Sequence, residues 1–475
     1  MESIWSKSCV MEKRAHLKKD AETEVAVIGA GMAGILTAFL LQKAGKKVTV
    51  LEARRIASGQ TKNTTAKITS QHGLIYHKLI QEKGIEKAKQ YAAANQNAIE
   101  EYRRIIKSEG INCGFEEKSA YLYSIDEEKL KQETEAALSL GLPAFFHSHI
   151  DIPLPNKGAV EFKHQAQFNP LEFINALSQQ LTIYEKTPVK NVENNTLITP
   201  CGNVKAEHIV FACHYPFINF PGMYFARMHQ ERSYVIALEN ANFPDDMYIG
   251  ADDNSYSLRT YGHYLLFGGE GHRTGENSKG GRYEALKQKA EQLFPGCRKA
   301  AFWSAQDCIT ADDVPFIGSY SSSTPNWYVA TGFKKWGMTS SMVSAMLIKD
   351  SICGIKNENS EVFSPSRFSS SQIPTMAQDW KKALKGLSRS FIQIPEKTAE
   401  ELPVGHGGVV EADGEKVGVY KDENKKLHIV SIHCPHLGCQ LEWNPDELSW
   451  DCPCHGSRFD FDGNLISGPA MENIN

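Results

Sequence analysis

Residues 24–52 carry the sequence pattern that most constrains the fold of this chain. A short apolar run ends in GAGMAG, helix-forming residues follow with the apolar spacing of a helix, and KKVTVLEA has the composition of a second strand. This order predicts a βαβ unit. Gly29, Gly31 and Gly34 occupy the GxGxxG frame, in which glycine permits a tight turn, approach of backbone to a pyrophosphate, and packing of helix on strand.

Glu52 supports the prediction of a dinucleotide site, because it ends the second strand and can accept hydrogen bonds from ribose hydroxyls. The N-terminus of the helix would add free N–H groups and a favourable dipole for phosphate. The alternative interpretation of the glycines is a tight turn of the kind found in any α/β protein. The strand before them, the helix after them and the acid at Glu52 favour the dinucleotide site instead. The motif alone does not separate FAD from NAD.

Bulk composition excludes several classes of function. The chain has 475 residues, which predicts two or three domains, and its formal net charge of −4 gives no basic field for nucleic acid or an anionic membrane. We see no apolar run long enough to span a bilayer and no apolar core of a signal peptide, so a cytoplasmic protein without an integral membrane segment is predicted.

Several segments between residues 22 and 355 resemble the D-amino-acid oxidase/sarcosine oxidase family of FAD enzymes, which includes glycine oxidase-like members. The matching segments are LEARRIASGQTKNTTAKIT, FNPLEFINAL, TPVKNVE, WSAQDCITADDVPFIG and ATGFKKWGMTSS. The resemblance implies FAD and a substrate sheet interleaved with the nucleotide fold. It places the FAD contacts at Gly29, Gly31, Met32, Ala33, Gly34, Glu52, Ala53, Arg54, Thr61, Asn63, Thr64, Val189, Gly332, Gly337, Met338 and Thr339.

Asp307 is a departure from the family pattern, because glycine oxidase-like members have there an arginine that binds the substrate carboxylate. A carboxylate prefers a cation, so a cationic amine becomes the predicted substrate; the alternative is an ion pair of Asp307 with Lys334 or Lys335. Ala305 and Asn63 occupy the positions at which some relatives link flavin covalently. We therefore expect non-covalent FAD, although Cys308 lies close by.

Three histidines are candidates for the substrate site, and a structural role is the alternative for each. They are His72, His214 and His272. Together with Asp307, His72 and His272 are the predicted catalytic residues.

Four of the eleven cysteines crowd into CPHLGC and CPCHGS, while the other seven are dispersed. Two cysteines and two histidines could bind one zinc ion. The repeated layout, however, resembles the Rieske signature CxHxGC…CxCHGS, and the likeness extends over about residues 400–475. It implies a [2Fe–2S] cluster with one iron on Cys434 and Cys452 and the other on His436 and His455, and a disulfide between Cys439 and Cys454.

The predicted fold is α/β, a Rossmann-like FAD-binding fold with an interleaved antiparallel-sheet substrate domain, followed by a small all-β Rieske domain. We assign residues 1–355 to the FAD-dependent oxidoreductase, with the substrate sheet at about 145–275. Residues 356–398 are rich in Ser, Lys and Glu and are predicted to be a linker, and residues 399–475 form the Rieske iron–sulfur domain.

Flavin and cluster on one chain predict a dehydrogenase. A small amine or N-substituted amino acid would be oxidised at its C–N bond, and the electrons would pass from flavin through the cluster to a separate, unidentified acceptor. The alternatives are a reductase or flavin monooxygenase in which the cluster feeds the flavin, a non-catalytic redox sensor or electron shuttle, and a Rieske oxygenase. The oxygenase would need an iron site of two histidines and a carboxylate, and QHGLIYH has no suitable acid.

Overall fold

The computed structural model describes residues 2–367, 372–392, 401–412 and 414–475. The helices are α1 (Ile4–Ser8), α2 (Met32–Lys43), α3 (Tyr76–Lys83), α4 (Ile85–Ser108), α5 (Glu127–Ser139), α6 (Pro170–Ser178), α7 (Arg282–Leu293), α8 (Gly337–Ile352) and α9 (Ile373–Ile392). Short 3₁₀ helices span Gln60–Asn63, Tyr224–Ala226 and Glu361–Phe363.

The strands of the oxidoreductase part are β1 (Ala21–Ile28), β2 (Val48–Leu51), β3 (Lys67–Ile68), β4 (Glu116–Tyr123), β5 (Ala144–His147), β6 (Ala159–Gln167), β7 (Thr182–Tyr184), β8 (Asn191–Glu193), β9 (Thr196–Ile198), β10 (Val204–Phe211), β11 (Met228–Glu239), β12 (Met247–Gly250), β13 (Ser257–Tyr261), β14 (Tyr264–Arg273), β15 (Arg298–Thr310), β16 (Phe316–Ser319) and β17 (Trp327–Thr331). Those of the C-terminal part are β18 (His406–Ala412), β19 (Glu415–Lys421), β20 (Leu427–Ser431), β21 (Glu442–Asn444), β22 (Ser449–Asp451), β23 (Arg458–Asp460) and β24 (Leu465–Ser467).

The nucleotide-binding sheet has the strand order β16-β17-β10-β1-β2-β7. Its central pairs are parallel, which requires crossovers, and α2 provides the one from β1 to β2. This is the βαβ unit predicted over residues 24–52. The helix α2 is buried along most of its length because it lies between the sheet and α8, and its residues are apolar nearly all round.

Two glycines set the geometry of the turn between β1 and α2. Gly29 has φ +104°, and a Cβ there would lie 2.6 Å from the carbonyl oxygen of Ala212. A Cβ on Gly34 would lie 1.9 Å from the carbonyl oxygen of Gly29, so any larger residue would push helix and strand apart. The first and third glycines of the motif therefore have the roles that the sequence predicts.

The second sheet has the order β15-β11-β14-β13-β12-β4-β6-β3, with β5 beside β6. All its pairs are antiparallel except β4 with β12. It extends beyond the predicted range of 145–275, because β3, β4 and β15 join it from earlier and later in the chain. Adjacent strands such as β4 and β12 are far apart in sequence, which a run of local strand signals does not show.

The predicted linker, residues 356–398, is structured in its described part. Val362 and Phe363 are buried against α4, and Arg367 pairs with Asp312 at 2.9 Å. The helix α9 follows, and the indole N–H of Trp380 donates to the carbonyl of Ala226 at 2.9 Å. The predicted linker therefore contains a helix, α9, that contacts the oxidoreductase part.

The remainder of the predicted linker, 368–371 and 393–398, lies outside the described residues, as do residues 399–400 of the predicted Rieske domain. Among the described residues, no helix has both the length and the apolar character of a membrane span.

The C-terminal part is a small β domain of two antiparallel sheets, β18-β19-β20 and β21-β22-β23-β24. Its core holds Tyr420, Trp443, Trp450 and Phe459. The two Cys/His segments form the loops that join β20 to β21 and β22 to β23. Both loops face the oxidoreductase part, which places the two predicted cofactor sites side by side.

Candidate functional site

A cavity of about 490 Å³ opens between the oxidoreductase part and the C-terminal domain. Its walls are the turn from β1 to α2, the segment after β2, the end of β15 and the start of α8. A further wall comes from the C-terminal domain: residues 465–473, which we call the shared wall. The cavity therefore takes residues from both domains.

Most of the residues predicted to bind FAD line this cavity. They are Gly29, Gly31, Met32, Ala33, Glu52, Ala53, Arg54, Thr61, Thr64, Val189, Gly337 and Met338. Gly34, Asn63, Gly332 and Thr339 do not line it and are held by contacts elsewhere in the packed structure. The Asn63 carbonyl, for example, accepts from the Trp303 indole at 2.9 Å, and the Thr339 hydroxyl donates to the Thr69 carbonyl at 2.8 Å.

The turn after β1 fits the diphosphate and ribose of FAD. The carboxylate of Glu52 accepts from the backbone N–H groups of Ala30 and Arg54, both at 2.8 Å, and keeps acceptor capacity for ribose hydroxyls. Gly31 begins α2 without a side-chain cap, so N–H groups of the first helical turn remain for a phosphate. The Thr61 hydroxyl accepts from Met32 N at 3.0 Å and fixes the facing segment.

Asp307 lies on β15, lines the cavity and is paired in register with Glu231 of β11. Burial raises the pKa of Asp307 to about 7, the charge of Lys335 opposes this rise, and Glu231 adds to it. Lys334 pairs with Asp313 at 2.9 Å, and among the ion pairs of the described residues none includes Asp307. The side chain is therefore a carboxyl group that faces the cavity and is not held by a cation.

Neither His72 nor His272 lies at the cavity, which corrects the expectation that they act there. The His72 ring is 3% exposed, contacts the Tyr91 hydroxyl at 2.6 Å and the Thr69 carbonyl at 2.7 Å, and burial lowers its pKa to about 3. His272 contacts the Tyr234 hydroxyl at 2.9 Å and the Arg273 carbonyl at 2.8 Å. Both rings use both nitrogens in the packed structure.

His214 does line the cavity, beside Cys213 and Cys308. Its Nε2 lies 3.3 Å from the Cys308 Sγ, and burial lowers the pKa of the imidazole to about 4, so it is neutral near pH 7. Burial raises the pKa of the Cys308 thiol well above its usual range. The thiolate, which is the form that could attack a flavin, is disfavoured. This supports the prediction of non-covalent FAD.

The two Cys/His loops have the same backbone geometry. In the first, Cys434 N donates to Cys439 O at 2.9 Å and Gly438 N to Cys434 O at 2.8 Å. In the second, Cys452 N donates to Ser457 O at 2.8 Å and Gly456 N to Cys452 O at 3.0 Å. The repeated spacing of the sequence is thus a repeated turn, which presents one cysteine and one histidine from each loop.

The ligands are arranged in two pairs, as a two-iron cluster requires. His436 Nδ1 lies 3.3 Å from His455 Nδ1, and the Cys434 and Cys452 thiols contact each other. A single tetrahedral zinc would draw all four ligand atoms to one point. Among the described residues, the ligand atoms of the two cysteines and two histidines do not all lie within 4.8 Å of one another. The donor set therefore fits a [2Fe–2S] cluster.

A disulfide joins Cys439 to Cys454, as the sequence predicts, and links the two cluster loops. Replacing both cysteines by alanine opens a loop with a sequence separation of 15 and should lower the free energy of unfolding by about 3 kcal/mol. Urea unfolding of the cluster-loaded protein, followed by the visible absorbance of the cluster, measures the change. The matched control replaces Cys201 and Cys297, which are free and half-buried; equal losses in both variants would contradict the prediction.

The oxidoreductase part contacts both histidine loops directly. His436 Nε2 lies 2.8 Å from the Asn219 Oδ1, and the Gln230 side-chain amide donates to the His455 carbonyl at 2.5 Å. Gln306 is a residue of the cavity lining, and its buried side-chain amide donates to the Gly456 carbonyl at 2.7 Å. One residue therefore connects the wall of the flavin cavity to the loop that carries a cluster ligand.

A buried ionic network holds the two domains together at Arg232 and Glu447, whose side chains are 2% and 3% exposed. The Arg232 guanidinium donates to Glu447 Oε1 at 2.6 Å, and Arg458 contacts the same carboxylate. Burial alone would raise the pKa of Glu447, but the two guanidinium groups lower it to about 2. Its stabilising effect is complete above pH 4.5, the unperturbed value, and is lost as the pH falls towards 2.

Replacing Glu447 by glutamine should destabilise the protein by about 3–5 kcal/mol at pH 7, because Arg232 then loses the carboxylate of its ion pair while it remains buried; Arg458 keeps its pair with Asp451 at 2.9 Å. The matched control is Glu239→Gln, which breaks a pair with Arg298, a residue 76% exposed, and should cost less than about 1 kcal/mol. Urea unfolding of both variants gives the comparison. Similar losses of unfolding free energy in the two variants would show that the buried pair does not stabilise the interface.

Sequence reasoning missed the shared wall and Lys190 in the cavity lining, and it named Lys334 and Lys335 only as possible ion-pair partners of Asp307. The segment SGPA of the shared wall has one face on the cluster loop, because Ala470 N donates to the Ser457 hydroxyl at 2.9 Å. Its other face lines the cavity, and nothing in the local sequence indicates a second contact. The sequence contains a signal that could have identified the lysines. Lys190 adjoins Val189, and Lys334 and Lys335 precede the Gly-rich segment at 337.

Two family models match the chain. Residues 24–351 match the FAD dependent oxidoreductase family, and residues 393–475 match the Rieske [2Fe-2S] domain. The putative Rieske 2Fe-2S iron-sulfur protein YhfW of Bacillus subtilis strain 168 is 38% identical over 490 residues, which covers 99% of this chain and 96% of that protein. The cytochrome b6-f complex iron-sulfur subunit 3 of Nostoc sp. PCC 7120 is 37% identical over 81 residues, or 16% of this chain and 46% of that protein.

Solved structures share the fold of the oxidoreductase part. Glycine oxidase from Geobacillus kaustophilus superposes with a TM-score of 0.62 at 18% identity, over 74% of this chain and 100% of that one. L-proline dehydrogenase from P. horikoshii gives 0.62 at 20% identity, over 74% and 98%. The chain belongs to the FAD dependent oxidoreductase family and carries a Rieske [2Fe–2S] domain on its C-terminal side, with FAD and a Rieske cluster as its cofactors.

Proposed function

We propose that the chain is a dehydrogenase that oxidises the C–N bond of a small cationic amine or N-substituted amino acid and delivers the electrons, through its own Rieske domain, to a separate acceptor. The observation that carries this proposal is the position of Gln306, which lines the flavin cavity and donates to the Gly456 carbonyl beside the cluster ligand His455. When bound, FAD accepts a hydride and the [2Fe–2S] cluster transfers one electron at a time.

The reaction needs an amine that has lost its ammonium proton. The substrate carbon gives up a hydride, the nitrogen gives up a proton, and a C=N double bond forms, which water then hydrolyses to a carbonyl compound and an amine. Asp307 is suited to bind the ammonium group as a carboxylate and to take its proton, because its pKa of about 7 lies near working pH. Its position in the cavity lining allows that contact.

The names of the structural neighbours support the substrate class. Glycine oxidase, L-proline dehydrogenase and L-amino acid deaminase from Proteus vulgaris all take amino acids by name, and their likeness to this chain is one of fold. Asp307 distinguishes this chain from glycine oxidase-like members, since it replaces their carboxylate-binding arginine. A substrate whose amine, rather than its carboxylate, is the anchoring group follows from that replacement.

The close contact of the two domains supports transfer within one chain. Gln230 and Gln306 bond to each other, and their amides also bond to the His455 and Gly456 carbonyls. All four residues are buried, so no water layer separates the cavity wall from the cluster loop at this point. A short, solvent-free path of bonded atoms favours transfer of electrons between the two sites.

The test is anaerobic mixing of the FAD- and cluster-loaded protein with a panel of amines and N-methyl amino acids. We expect bleaching of the flavin absorbance by a cationic amine, followed by the EPR signal of a reduced Rieske cluster. Bleaching without a cluster signal would refute the route through the Rieske domain. Reduction by NADPH with no response to any amine would refute the direction and favour the reductase alternative.

A further inference from the structure

We infer that the Rieske domain is a structural part of the FAD-binding site, so that FAD enters or leaves the chain only after this domain has moved away. The shared wall, residues 465–473, supplies this contact. Its members in the cavity lining are Leu465, Ile466, Ser467, Gly468, Pro469, Ala470, Met471 and Asn473. The inference rests on the FAD site and not on the identity of the substrate.

One face of the shared wall is bonded to the adenosine end of the cavity. The Arg54 guanidinium donates to the Ile466 carbonyl, and Lys190 Nζ donates to the Met471 carbonyl at 2.5 Å. Arg54 is itself a predicted FAD contact two residues after Glu52, and Lys190 adjoins Val189, another predicted FAD contact. The wall therefore closes the cavity where the nucleotide would lie.

The other face of the shared wall is bonded to the cluster loops. Ala470 N donates to the Ser457 hydroxyl at 2.9 Å, and Ser457 is fully buried beside Cys434. The start of the wall is strand β24, which pairs with β23 of the Rieske domain, Ser467 with Arg458 and Leu465 with Phe459. The wall is thus fixed to the cluster site and follows the Rieske domain when that domain moves.

The Rieske domain also packs closely against the oxidoreductase part at positions outside the shared wall. A Cβ on Gly275 would lie 2.6 Å from Pro453 Cα, and a Cβ on Gly280 would lie 2.6 Å from Pro445 Cγ. These contacts and the buried Arg232–Glu447 pair lie on the same surface of the Rieske domain. Release of FAD therefore requires the domain to undock, and by linkage bound FAD must stabilise the docked state to the same extent.

Two variants of the full-length holoprotein test this coupling in opposite directions. Gly275→Leu places a side chain against the Pro453 backbone and should prevent docking. A disulfide formed by Gly280→Cys with Pro445→Cys should lock the docked state, because their Cβ atoms would be 3.4 Å apart, close to the range of about 3.5–4.5 Å in natural disulfides. Both sites lie outside the cavity lining.

The measurement is the rate of FAD release, followed by the rise in flavin fluorescence after dilution. We expect release to be faster by about tenfold or more with Gly275→Leu, and slower by about tenfold with the oxidised cysteine pair, until a reductant restores the parent rate. The matched control is Gly262→Leu, which also has a positive φ but open space around its Cβ. Each single cysteine variant controls for the lock.

Equal release rates in the parent, Gly275→Leu and the locked protein would overturn the inference. If Gly275→Leu does not fold, the locked variant decides alone, since its reduced form is its own control. Failure of the proposed function is distinguishable, because a protein that oxidises no amine can still show FAD release that depends on docking. Conversely, if the protein oxidises an amine but the oxidised cysteine pair does not change its rate of FAD release, only this inference is refuted.

Discussion

Asp307→Asn is expected to lower kcat/KM for a cationic amine by about 10²–10⁴-fold, the usual contribution of a general base. Asparagine keeps the size of the side chain but can neither hold a negative charge nor accept the ammonium proton. FAD content should be unchanged, because the FAD contacts in the cavity are made by other residues. Steady-state kinetics with the active amine, together with the flavin-to-protein ratio, gives the comparison.

The pH dependence makes this prediction specific to a titrating carboxyl group. Burial raises the pKa of Asp307 to about 7, so in the parent kcat/KM should fall as the pH decreases through about 7 and the carboxylate becomes protonated. The variant should lack this limb. Because Lys335 lowers the pKa of Asp307 and Glu231 raises it, Lys335→Met should move the limb to higher pH and Glu231→Gln to lower pH.

Glu231→Gln is also the matched control for the loss of charge, since Glu231 is opposite Asp307 on the neighbouring strand but outside the cavity lining. It should keep most of the activity. If Asp307→Asn retains the acid limb, or if both variants lose activity to the same extent, Asp307 does not bind the substrate amine.

Cys452→Ser is expected to abolish the Rieske cluster and, with it, turnover with a one-electron acceptor. The thiolate is one of the four ligands in two facing pairs, and a serine hydroxyl does not replace it on iron. Iron content and the low-temperature EPR signal of the reduced protein should both be lost. Bleaching of the flavin by the amine should persist, because the substrate contacts lie in the other domain.

The control for this test is the same substitution, cysteine to serine, at another position. Cys297→Ser removes a free, half-buried cysteine far from the cluster loops and should keep the iron content and the signal. Metal analysis of the parent protein also tests the zinc alternative, since zinc in place of iron would contradict the cluster assignment. Full turnover by Cys452→Ser would show that electrons leave the flavin without passing through the Rieske domain.

The parts of this protein that the sequence determines are those whose geometry is local. The turn at Gly29 and Gly34 lies within one βαβ unit, and the close contact at Gly34 is with Gly29, five residues earlier. Each cluster loop is closed by hydrogen bonds within six residues, so the spacing in CPHLGC and CPCHGS specifies the loop. The family resemblances, which rest on such segments, therefore identified both cofactors.

The segment 373–392 lies in the predicted linker, and its composition does not show that it is a helix. The same residues form α9, which is anchored through Trp380 to Ala226 and through Asp379 to Arg273. These partners come from more than a hundred residues earlier in the chain. The sequence of the helix itself does not indicate these contacts.

Tertiary structure decided which histidine lies at the cavity, and that the two cofactor sites share a wall. His72, His214 and His272 are alike in sequence, and only packing brings His214 to Cys308 and leaves the other two with both ring nitrogens bonded. The bond from Gln306 to Gly456 joins residues 150 positions apart. Such contacts arise from the docking of two surfaces, whose fit depends on the shape of both domains and on no single segment of either.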